Sequence, residues 1–238
     1  MPLQQAYANR QNVIQWKDNL TPVSEAFDDI YYAEENGFEE SNYVFLQKNV
    51  LPARWAENPF IHRIGELGFG TGLNFLSASK LWLENGPNTK TLYYYSCEKF
   101  PLSRENIQKA VSPWPSLEAL SSEFVREYPE NRSGQIEMNL FEGRVKLFLF
   151  VGDVLDFLES IPCSMDTWFF DGFAPKKNPD MWSETVFERV AEKSSIGTRF
   201  STYASAGFVR RNLKNFGFDV QKTPGFGRKR EMLIGQFL

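Results

Sequence analysis

The chain has few of the residues that bind transition metals or form disulfides. Its 238 residues include one histidine, His62, and two cysteines, Cys97 and Cys163. An ordinary structural zinc site uses four cysteine or histidine ligands, so these three residues cannot supply one. Both His62 and Cys97 stand in strand-like runs, which favours buried structural roles, and we expect no metal site.

A long hydrophobic run is also missing. No apolar stretch approaches the ~20 residues that a membrane-spanning helix needs. The first five residues, MPLQQ, show no basic segment followed by an apolar one, as a secretory signal would. We therefore expect a cytoplasmic protein. The length predicts one large domain, or one domain with a small lobe.

An overall positive charge is missing too. The chain has 26 Lys and Arg against 30 Asp and Glu, a net charge of −4, which argues against a general nucleic-acid binder. Residues 210–230 nevertheless hold seven basic residues and one acid, whereas residues 1–60 hold nine acids and four bases. Such a basic segment suits a specific polyanionic partner, and equally a solvated helix face and tail. Its basic residues are Arg210, Arg211, Lys214, Lys222, Arg228, Lys229 and Arg230.

From residue 61 onward, strand and helix patterns alternate. This order predicts an α/β fold with a mostly parallel sheet and helices on both faces. The predicted strands are 61–67, 92–97, 145–151, 167–170, 198–203, 218–222 and 231–237. The predicted helices are 72–84, 103–110, 116–126, 154–160, 183–193 and 206–215.

Two hairpins interrupt this order. Apolar residues alternate on both sides of Glu142-Gly143, so we predict an antiparallel hairpin over 135–151 that is inserted into the sheet. Strand-like runs at 29–33 and 42–46 flank a turn signal, which predicts a second hairpin. We assign residues 1–58 to an N-terminal lobe over the ligand site and residues 59–238 to the core.

The most informative stretch is IGELGFGTGLNFL at 64–76. An apolar strand ends near Glu66, and glycines follow at alternate positions before an apolar helical run. The dinucleotide fingerprint has a different spacing, G-x-G-x-x-G, and a carboxylate at Glu66 would repel a pyrophosphate. The same carboxylate could accept a hydrogen bond from an ammonium group. This favours the amino-acid end of S-adenosylmethionine, with a nicotinamide site and a ligand-free turn as alternatives.

Four carboxylates stand at the ends of predicted parallel strands, where ligands bind in such sheets. They are Glu66, Glu98, Asp153 and Asp171. Glu98 could accept both hydroxyls of a ribose, and Asp153 could accept from an adenine amino group. Each could instead cap a helix N-terminus.

Asp171 is assigned a different task because Gly-Phe-Ala-Pro follows it. This loop would bring backbone carbonyls and an aromatic ring to the strand end, an environment suited to a substrate amine. A carboxylate can accept or direct the proton of the amine, and Phe173 could stabilise a sulfonium charge. The alternative is that Asp171 caps a loop or helix.

These motifs resemble the methyltransferase domain of MnmC and its stand-alone relative MnmD. The matching stretches are ELGFGTGLNFL at 66–76, DGFAPKKNPDMW at 171–182, SAGFVRRNL at 205–213 and PGFGRKREML at 224–233. The resemblance implies a class I, Rossmann-like methyltransferase fold with a seven-stranded, mostly parallel sheet and an antiparallel last strand. It also implies N-methylation of the 5-aminomethyl group of the tRNA wobble uridine, giving 5-methylaminomethyl-(2-thio)uridine.

The resemblance further implies that Asp171 is the catalytic residue and that the basic 210–230 segment lies near tRNA. From the residues themselves, we predict an S-adenosylmethionine site that comprises Glu66, Gly68, Phe69, Gly70, Gly72, Glu98 and Asp153. The predicted substrate-binding residues are Phe173, Pro175, Trp182, Arg210, Arg211, Arg228, Lys229 and Arg230.

In MnmC an FAD-dependent oxidase domain accompanies the methyltransferase domain, and no second glycine fingerprint stands in this sequence. A stand-alone enzyme and one domain of a longer protein both remain open. So do two other functions: a small-molecule amine methyltransferase and a non-catalytic binding module.

Overall fold

The computed structural model describes residues 13–57, 61–130 and 132–238, which form two sheets. The smaller sheet contains β1 (Ile14–Trp16), β2 (Pro22–Ser24) and β3 (Asp29–Ile30), joined in that order. The larger sheet contains β4 (His62–Leu67), β5 (Leu92–Glu98), β6 (Gly134–Leu140), β7 (Val145–Val151), β8 (Met165–Phe170), β9 (Ser194–Thr202), β10 (Phe218–Pro224) and β11 (Glu231–Phe237).

Helices connect most of these strands. They are α1 (Gly37–Ser41), a π-helical segment (Asn42–Gln47), α2 (Ala53–Glu57), α3 (Leu73–Asn85), α4 (Arg104–Val111), α5 (Glu118–Glu127), α6 (Val154–Ser160), α7 (Glu184–Glu192) and α8 (Gly207–Asn215). Short 3₁₀ turns lie at Pro115–Leu117 and Pro179–Trp182. The hydroxyls of Ser103 and Ser183 cap α4 and α7 by accepting backbone N–H bonds, as serine commonly does at helix starts.

The larger sheet has the strand order β10-β11-β9-β8-β4-β5-β7-β6. Five strands from β9 to β7 run parallel, while β11 is antiparallel to both β9 and β10. This is the predicted class I methyltransferase sheet with its antiparallel last strand. The chain leaves β4 for β5 on one side, and β8 lies on the other, so a crevice opens at the carboxyl end of β4.

The predicted insertion over 135–151 is confirmed. β6 pairs antiparallel with β7 from Gly134↔Val151 to Leu140↔Val145. The second arm is the third parallel strand of the core, and the first arm adds an eighth strand at the sheet edge.

The predicted N-terminal hairpin is wrong. β3 pairs with β2, and residues 42–46 lie in the π-helical segment instead of a strand. Asn36, which we assigned to a turn, caps α1 by accepting the N–H of Glu39. The neighbouring side chains Val44, Phe45 and Leu46 are all buried, so this apolar run does not alternate between two faces.

The N-terminal segment packs firmly on the larger sheet. The Tyr32 hydroxyl donates to the carbonyl of Ala110 at 2.8 Å, and the Asn49 amide donates to the Ser201 hydroxyl at 2.7 Å. Tyr32, Phe45 and Trp55 belong to the same hydrophobic cluster as β4 and α3. The division of the chain after residue 58 stays a prediction, and residues 58–60 lie outside the described ones.

Candidate active site

The alternate glycines form a tight turn between β4 and α3. Gly68, Gly70 and Gly72 have φ angles of 90°, 53° and 74°, in the left-handed region that favours glycine. A Cβ atom at Gly68 would lie 3.0 Å from the Cα of Gly172, so a side chain there would collide with the loop after β8. The glycine turn therefore lets the ends of β4 and β8 approach each other.

A cavity of about 400 Å³ lies at the carboxyl ends of β4, β5, β7 and β8. The N-terminal segment forms one wall through residues from Phe27 to Phe45, and Lys229 enters from the β10–β11 loop. Eight predicted site residues line this cavity: Gly68, Phe69, Gly70, Glu98, Asp153, Asp171, Phe173 and Lys229.

Glu98 and Asp153 stand at two neighbouring strand ends. Glu98 is half-buried, and its two oxygens accept the N–H groups of Gly70 and Phe100 at 2.9 and 2.8 Å. Burial raises the pKa of Glu98, whereas these hydrogen bonds lower it. Asp153 caps α6 through the N–H of Leu155 and pairs with Lys99 at 3.1 Å. Asp153 thus takes the capping role that the sequence left open while it also lines the cavity.

Glu66 lies beneath the cavity. Its side chain is fully buried, with one oxygen accepting from the Ser96 hydroxyl at 2.7 Å and the other from the Asn74 amide at 3.0 Å. Burial raises the pKa of Glu66 to about 8. The prediction that Glu66 meets a ligand ammonium group directly must be corrected, because Glu66 points into the core from within β4.

Asp171 follows β8 and reaches the cavity. Its Oδ1 accepts the N–H of Gly172 at 2.8 Å, and its Oδ2 accepts from the Asn74 amide at 2.7 Å. Gly172 begins no helix, and Asn74 donates through its side-chain amide instead of its backbone N–H, so these contacts are not a helix cap. Burial raises the pKa of Asp171 to about 7, whereas the hydrogen bonds from Gly172 and Asn74 lower it. A carboxyl group with a pKa near neutrality is suited to proton transfer.

Aromatic rings surround the loop that follows Asp171. Phe173 stacks on Phe27 with ring centroids 4.5 Å apart and meets the edge of Tyr31 at 5.0 Å. Trp182 is only 1% exposed and donates its indole N–H to the carbonyl of Phe173 at 2.9 Å. The prediction that Trp182 contacts the substrate must be corrected: it supports Phe173 from the core. Pro175 is half-buried in the loop and outside the cavity lining.

The predicted basic residues separate into two groups. The side chain of Lys229 is 42% exposed, but its ammonium group reaches the cavity, pairs with Glu40 at 2.9 Å and lies 4.0 Å from the ring centre of Tyr203. Arg228 and Arg230 are exposed on the β10–β11 loop, and Arg228 pairs with Glu35 at 3.3 Å. Arg210 is half-buried on α8, and Arg211 is exposed there.

Several cavity residues were missed from the sequence. Asn74 joins Glu66 to Asp171, and Asp29 accepts the N–H of Ala174 at 2.9 Å. Glu40 accepts the N–H of Ala33 at 2.7 Å as well as the Lys229 bond. Only Asn74 had a usable signal: it lies in the first turn of α3, where side chains lean back toward the helix start.

A model of a family described as S-adenosyl-L-methionine-dependent methyltransferase matches residues 115–237, just over half of the chain. The chain belongs to this family. The dependence on S-adenosylmethionine in that description agrees with the predicted cofactor. Within the described residues, no helix is long and apolar enough to cross a bilayer.

Individual similar proteins specify which branch of the family this chain resembles. The chain is 43% identical over 234 residues to the tRNA 5-methylaminomethyl-2-thiouridine biosynthesis bifunctional protein MnmC of Marinomonas sp., covering 97% of this chain and 34% of that protein. It is 48% identical to MnmC of Leptospira borgpetersenii over 229 residues, covering 94% and 35%. The predicted resemblance to the MnmC methyltransferase domain is confirmed. The chain spans about a third of the length of these relatives.

A solved structure agrees on the fold. The crystal structure of MNMC2 from Aquifex aeolicus superposes with a TM-score of 0.75 at 23% identity, covering 97% of this chain and 72% of that chain. This likeness supports the fold of the sheet and its N-terminal segment.

Proposed function

We propose that this methyltransferase uses S-adenosylmethionine to methylate the 5-aminomethyl nitrogen of the tRNA wobble uridine. The product would be 5-methylaminomethyl-(2-thio)uridine, and the reaction would take place in the cytoplasm. The observation that carries the proposal is the similarity, over 94–97% of this chain, to about a third of two proteins named for this nucleoside in tRNA. The geometry of the cavity supports it independently.

The cavity chemistry fits the cofactor better than it fits a dinucleotide. The N–H of Gly70 is already donated to Glu98, so the turn places a carboxylate where a dinucleotide would need amide donors for a pyrophosphate. Glu98 keeps further lone pairs on both oxygens for ribose hydroxyls. We assign Glu98 to the ribose, Asp153 to the adenine end, and Gly68, Phe69 and Gly70 to the close approach of backbone to ligand. Gly72, predicted for the same role, lies outside the cavity lining at the start of α3.

The amine would bind at the Asp171 end of the same cavity. When bound, S-adenosylmethionine supplies a methyl group on a sulfonium sulfur that an amine nitrogen can displace. Asp171 would accept the amine proton or orient its lone pair, because its carboxylate lies at the cavity and ionises near neutral pH. Phe173, held by Phe27 and Trp182, would pack against the base and shield the site from water.

A tRNA face next to the cavity would consist of α8 and the β10–β11 loop. α8 packs against β10, and the charges of Arg230 and Arg210 both act on Glu231, whose pKa is lowered first by a hydrogen bond from Lys222. The loop packs on the N-terminal segment, since Tyr43 donates to the carbonyl of Pro224 at 3.0 Å. The exposed arginines of the β10–β11 loop therefore border the wall of the cavity, where phosphates could bind while the base enters. We assign this role to Arg210, Arg211, Arg228 and Arg230.

The test is methyl transfer from labelled S-adenosylmethionine to tRNA with and without the aminomethyl precursor. We expect label in the aminomethyl tRNA alone, and transfer that weakens as salt rises. The aminomethyl nucleoside without its tRNA serves as a second substrate. Equal turnover of the nucleoside would instead favour a small-molecule amine methyltransferase, and no turnover with either substrate would favour a binding module.

The relatives are about three times as long as the part that this chain matches, so a second activity could accompany the methyltransferase. An FAD-dependent oxidase, fused or acting upstream, would supply the aminomethyl group from a carboxymethyl precursor. When tRNA that carries the carboxymethyl precursor is added to this chain alone, we then expect no labelled product. Label in that carboxymethyl tRNA would remove the need for the oxidase.

A further inference from the structure

One side chain connects the candidate catalytic carboxylate to a carboxylate beneath the cavity. The Asn74 Nδ2 donates to Asp171 at 2.7 Å and to Glu66 at 3.0 Å. Its Oδ1 accepts from the Ser41 hydroxyl at 2.7 Å. The amide nitrogen has two hydrogens to donate, and the amide oxygen has lone pairs that accept. In this pattern the nitrogen therefore donates both hydrogens, and the oxygen accepts one.

The arrangement fixes the amide in one orientation. A flipped amide would direct its oxygen at two carboxylates, and its nitrogen at the Ser41 hydroxyl. Ser41 lies on α1, Asn74 on α3, Glu66 in β4 and Asp171 after β8. Four separate elements therefore converge on one hydrogen-bonded cluster, so the position of Asp171 depends on all of them.

The two carboxylates are close enough to influence each other. Since both bind the same nitrogen, their oxygens lie less than about 6 Å apart, within the range where like charges disfavour joint ionisation. Glu66 is fully buried, whereas Asp171 is half-buried at the cavity. Keeping a charge in the buried position costs more free energy, so one proton shared by the pair should reside on Glu66.

We propose that Asn74 is a positioning residue for Asp171: its amide holds Glu66 and Asp171 as a proton-sharing pair in which Glu66 stays neutral and Asp171 ionised. Asp171 thereby faces the cavity as a carboxylate with a fixed orientation. The pair itself follows from the geometry, while its use in catalysis rests on the proposed methyl transfer to an amine.

Other charged or titratable groups also face Asp171. Glu40 on α1 raises its pKa and Lys229 on the β10–β11 loop lowers it. The phenol of Tyr94 in β5 senses Glu66 first and then Asp171. The phenol of Tyr203 after β9 senses Asp171, Asp29 in β3 and Glu40. Burial raises the pKa of each phenol well above its usual range. The phenols therefore stay neutral while the carboxyl pair titrates.

The experiment is a ¹³C-carboxyl NMR titration of the protein without substrate, assigned with Asp171→Asn and Glu66→Gln. Asn74→Leu removes both donors at similar volume, and we expect the Asp171 midpoint to rise by roughly one pH unit. Ser41→Ala, which keeps the carbon packing, should raise the midpoint by less. Ser79→Ala is the matched control on α3, because its hydroxyl bonds only the carbonyl of Phe75, and it should change nothing.

Glu66→Gln gives the opposite test. If Glu66 is already neutral when Asp171 ionises, this variant should leave the Asp171 midpoint within a few tenths of a unit. A fall of about one unit or more would mean that Glu66 carries charge alongside Asp171, and the proton-sharing pair would be refuted. An unchanged midpoint in both Asn74→Leu and Ser41→Ala would refute the positioning role.

Kinetics separate this inference from the proposed function. In Asn74→Leu the low-pH limb of kcat should move upward with the NMR midpoint, while the dissociation constant of S-adenosylmethionine changes less than twofold. A large loss of cofactor affinity with an unmoved midpoint would make Asn74 a cofactor ligand instead. Coupled titration in a protein that methylates no tRNA would sink the proposed function and leave the pair intact.

Discussion

The two ends of the cavity are built in different ways. At the Glu98 end, carboxylates accept backbone N–H groups from their own or the neighbouring turn, as in the bonds from Gly70 and Phe100 to Glu98. At the Asp171 end, side chains from distant parts of the chain meet. Lys229 binds Glu40 across 189 positions, and the N–H of Ala174 binds Asp29 across 145.

This difference predicts how each end responds to mutation. The Glu98 end belongs to the sheet and its turns, so its geometry should survive the loss of one side chain. The Asp171 end depends on several side-chain partners and on titratable groups, so single substitutions there should change reactivity more than binding. The following variants test that contrast, beginning with the largest expected effect.

Asp171→Asn should lower kcat by roughly 10²–10⁴-fold, the usual contribution of a positioned acid–base group. The dissociation constant of S-adenosylmethionine should stay nearly unchanged, because Asp171 belongs to the amine end. Single-turnover methyl transfer and calorimetry measure the two quantities. Asp156→Asn, an exposed acid on α6, is the matched control, and near-normal turnover in Asp171→Asn would remove Asp171 from catalysis.

Glu98→Gln should weaken S-adenosylmethionine binding by roughly 1.5–3 kcal/mol, the scale of hydrogen bonds to a charged acceptor. The rate at saturating cofactor should fall much less, because the amine end is untouched. Calorimetry of the variant against Glu84→Gln, on the far end of α3, measures the effect. Equal affinities for the two variants would place the ribose acceptor elsewhere.

Arg228→Ala combined with Arg230→Ala should raise the KM for tRNA several-fold and reduce the salt slope by up to about two, one for each lost phosphate contact. Lys229 is left in place because it lines the cavity. The double control Arg126→Ala with Arg189→Ala removes one exposed and one half-buried arginine, each of which pairs on its own helix. The same loss in both double variants would indicate a general charge effect without a tRNA face.

Glu66→Gln should alter how stability depends on pH. Burial raises the pKa of Glu66 to about 8, above the ~4.3 of an unfolded glutamate, so the folded protein holds a proton that the unfolded chain releases. The free energy of unfolding of the parent should therefore fall as pH rises from about 4.5 to 8.

The glutamine variant has no such proton to lose. Its Tm should match the parent near pH 5 and exceed it by roughly 10 °C near pH 9, since a pKa displaced from ~4.3 to about 8 corresponds to about 5 kcal/mol and about 1 kcal/mol corresponds to 2–4 °C in a chain of this size. Thermal melts over this range, with Glu159→Gln on the surface of α6 as control, measure the difference. A constant offset between the two curves would show that Glu66 ionises normally in the fold.

The contrast between the two ends also explains what the sequence could predict. Strand periodicity and the spacing of glycines depend on neighbouring residues, so the positions of Gly68, Gly70, Glu98 and Asp153 followed from the pattern. Asp171 was found because it ends a strand of the same sheet. The family motif that begins at Asp171 and the position of Asp171 at the cavity both point to a role in the active site.

The Asp171 end was harder to predict because its partners are distant in sequence. Nothing near Lys229 signals that its side chain turns inward to Glu40, and Trp182 looks like a surface aromatic until its burial is known. The short apolar run at 42–46 is typical of a strand, which is why we predicted one. In the structure these residues are helical, and Val44, Phe45 and Leu46 are buried in the surrounding core. Long-range packing decided each of these cases.

The most direct test is to identify the methylated nucleoside. tRNA carrying the aminomethyl group is incubated with the protein and labelled S-adenosylmethionine, digested to nucleosides and analysed by mass spectrometry, with Asp171→Asn in parallel. The account predicts one added methyl group on the exocyclic amine of the wobble uridine, at a rate that collapses in the variant. Label on another nucleoside, or equal labelling by both proteins, would contradict it.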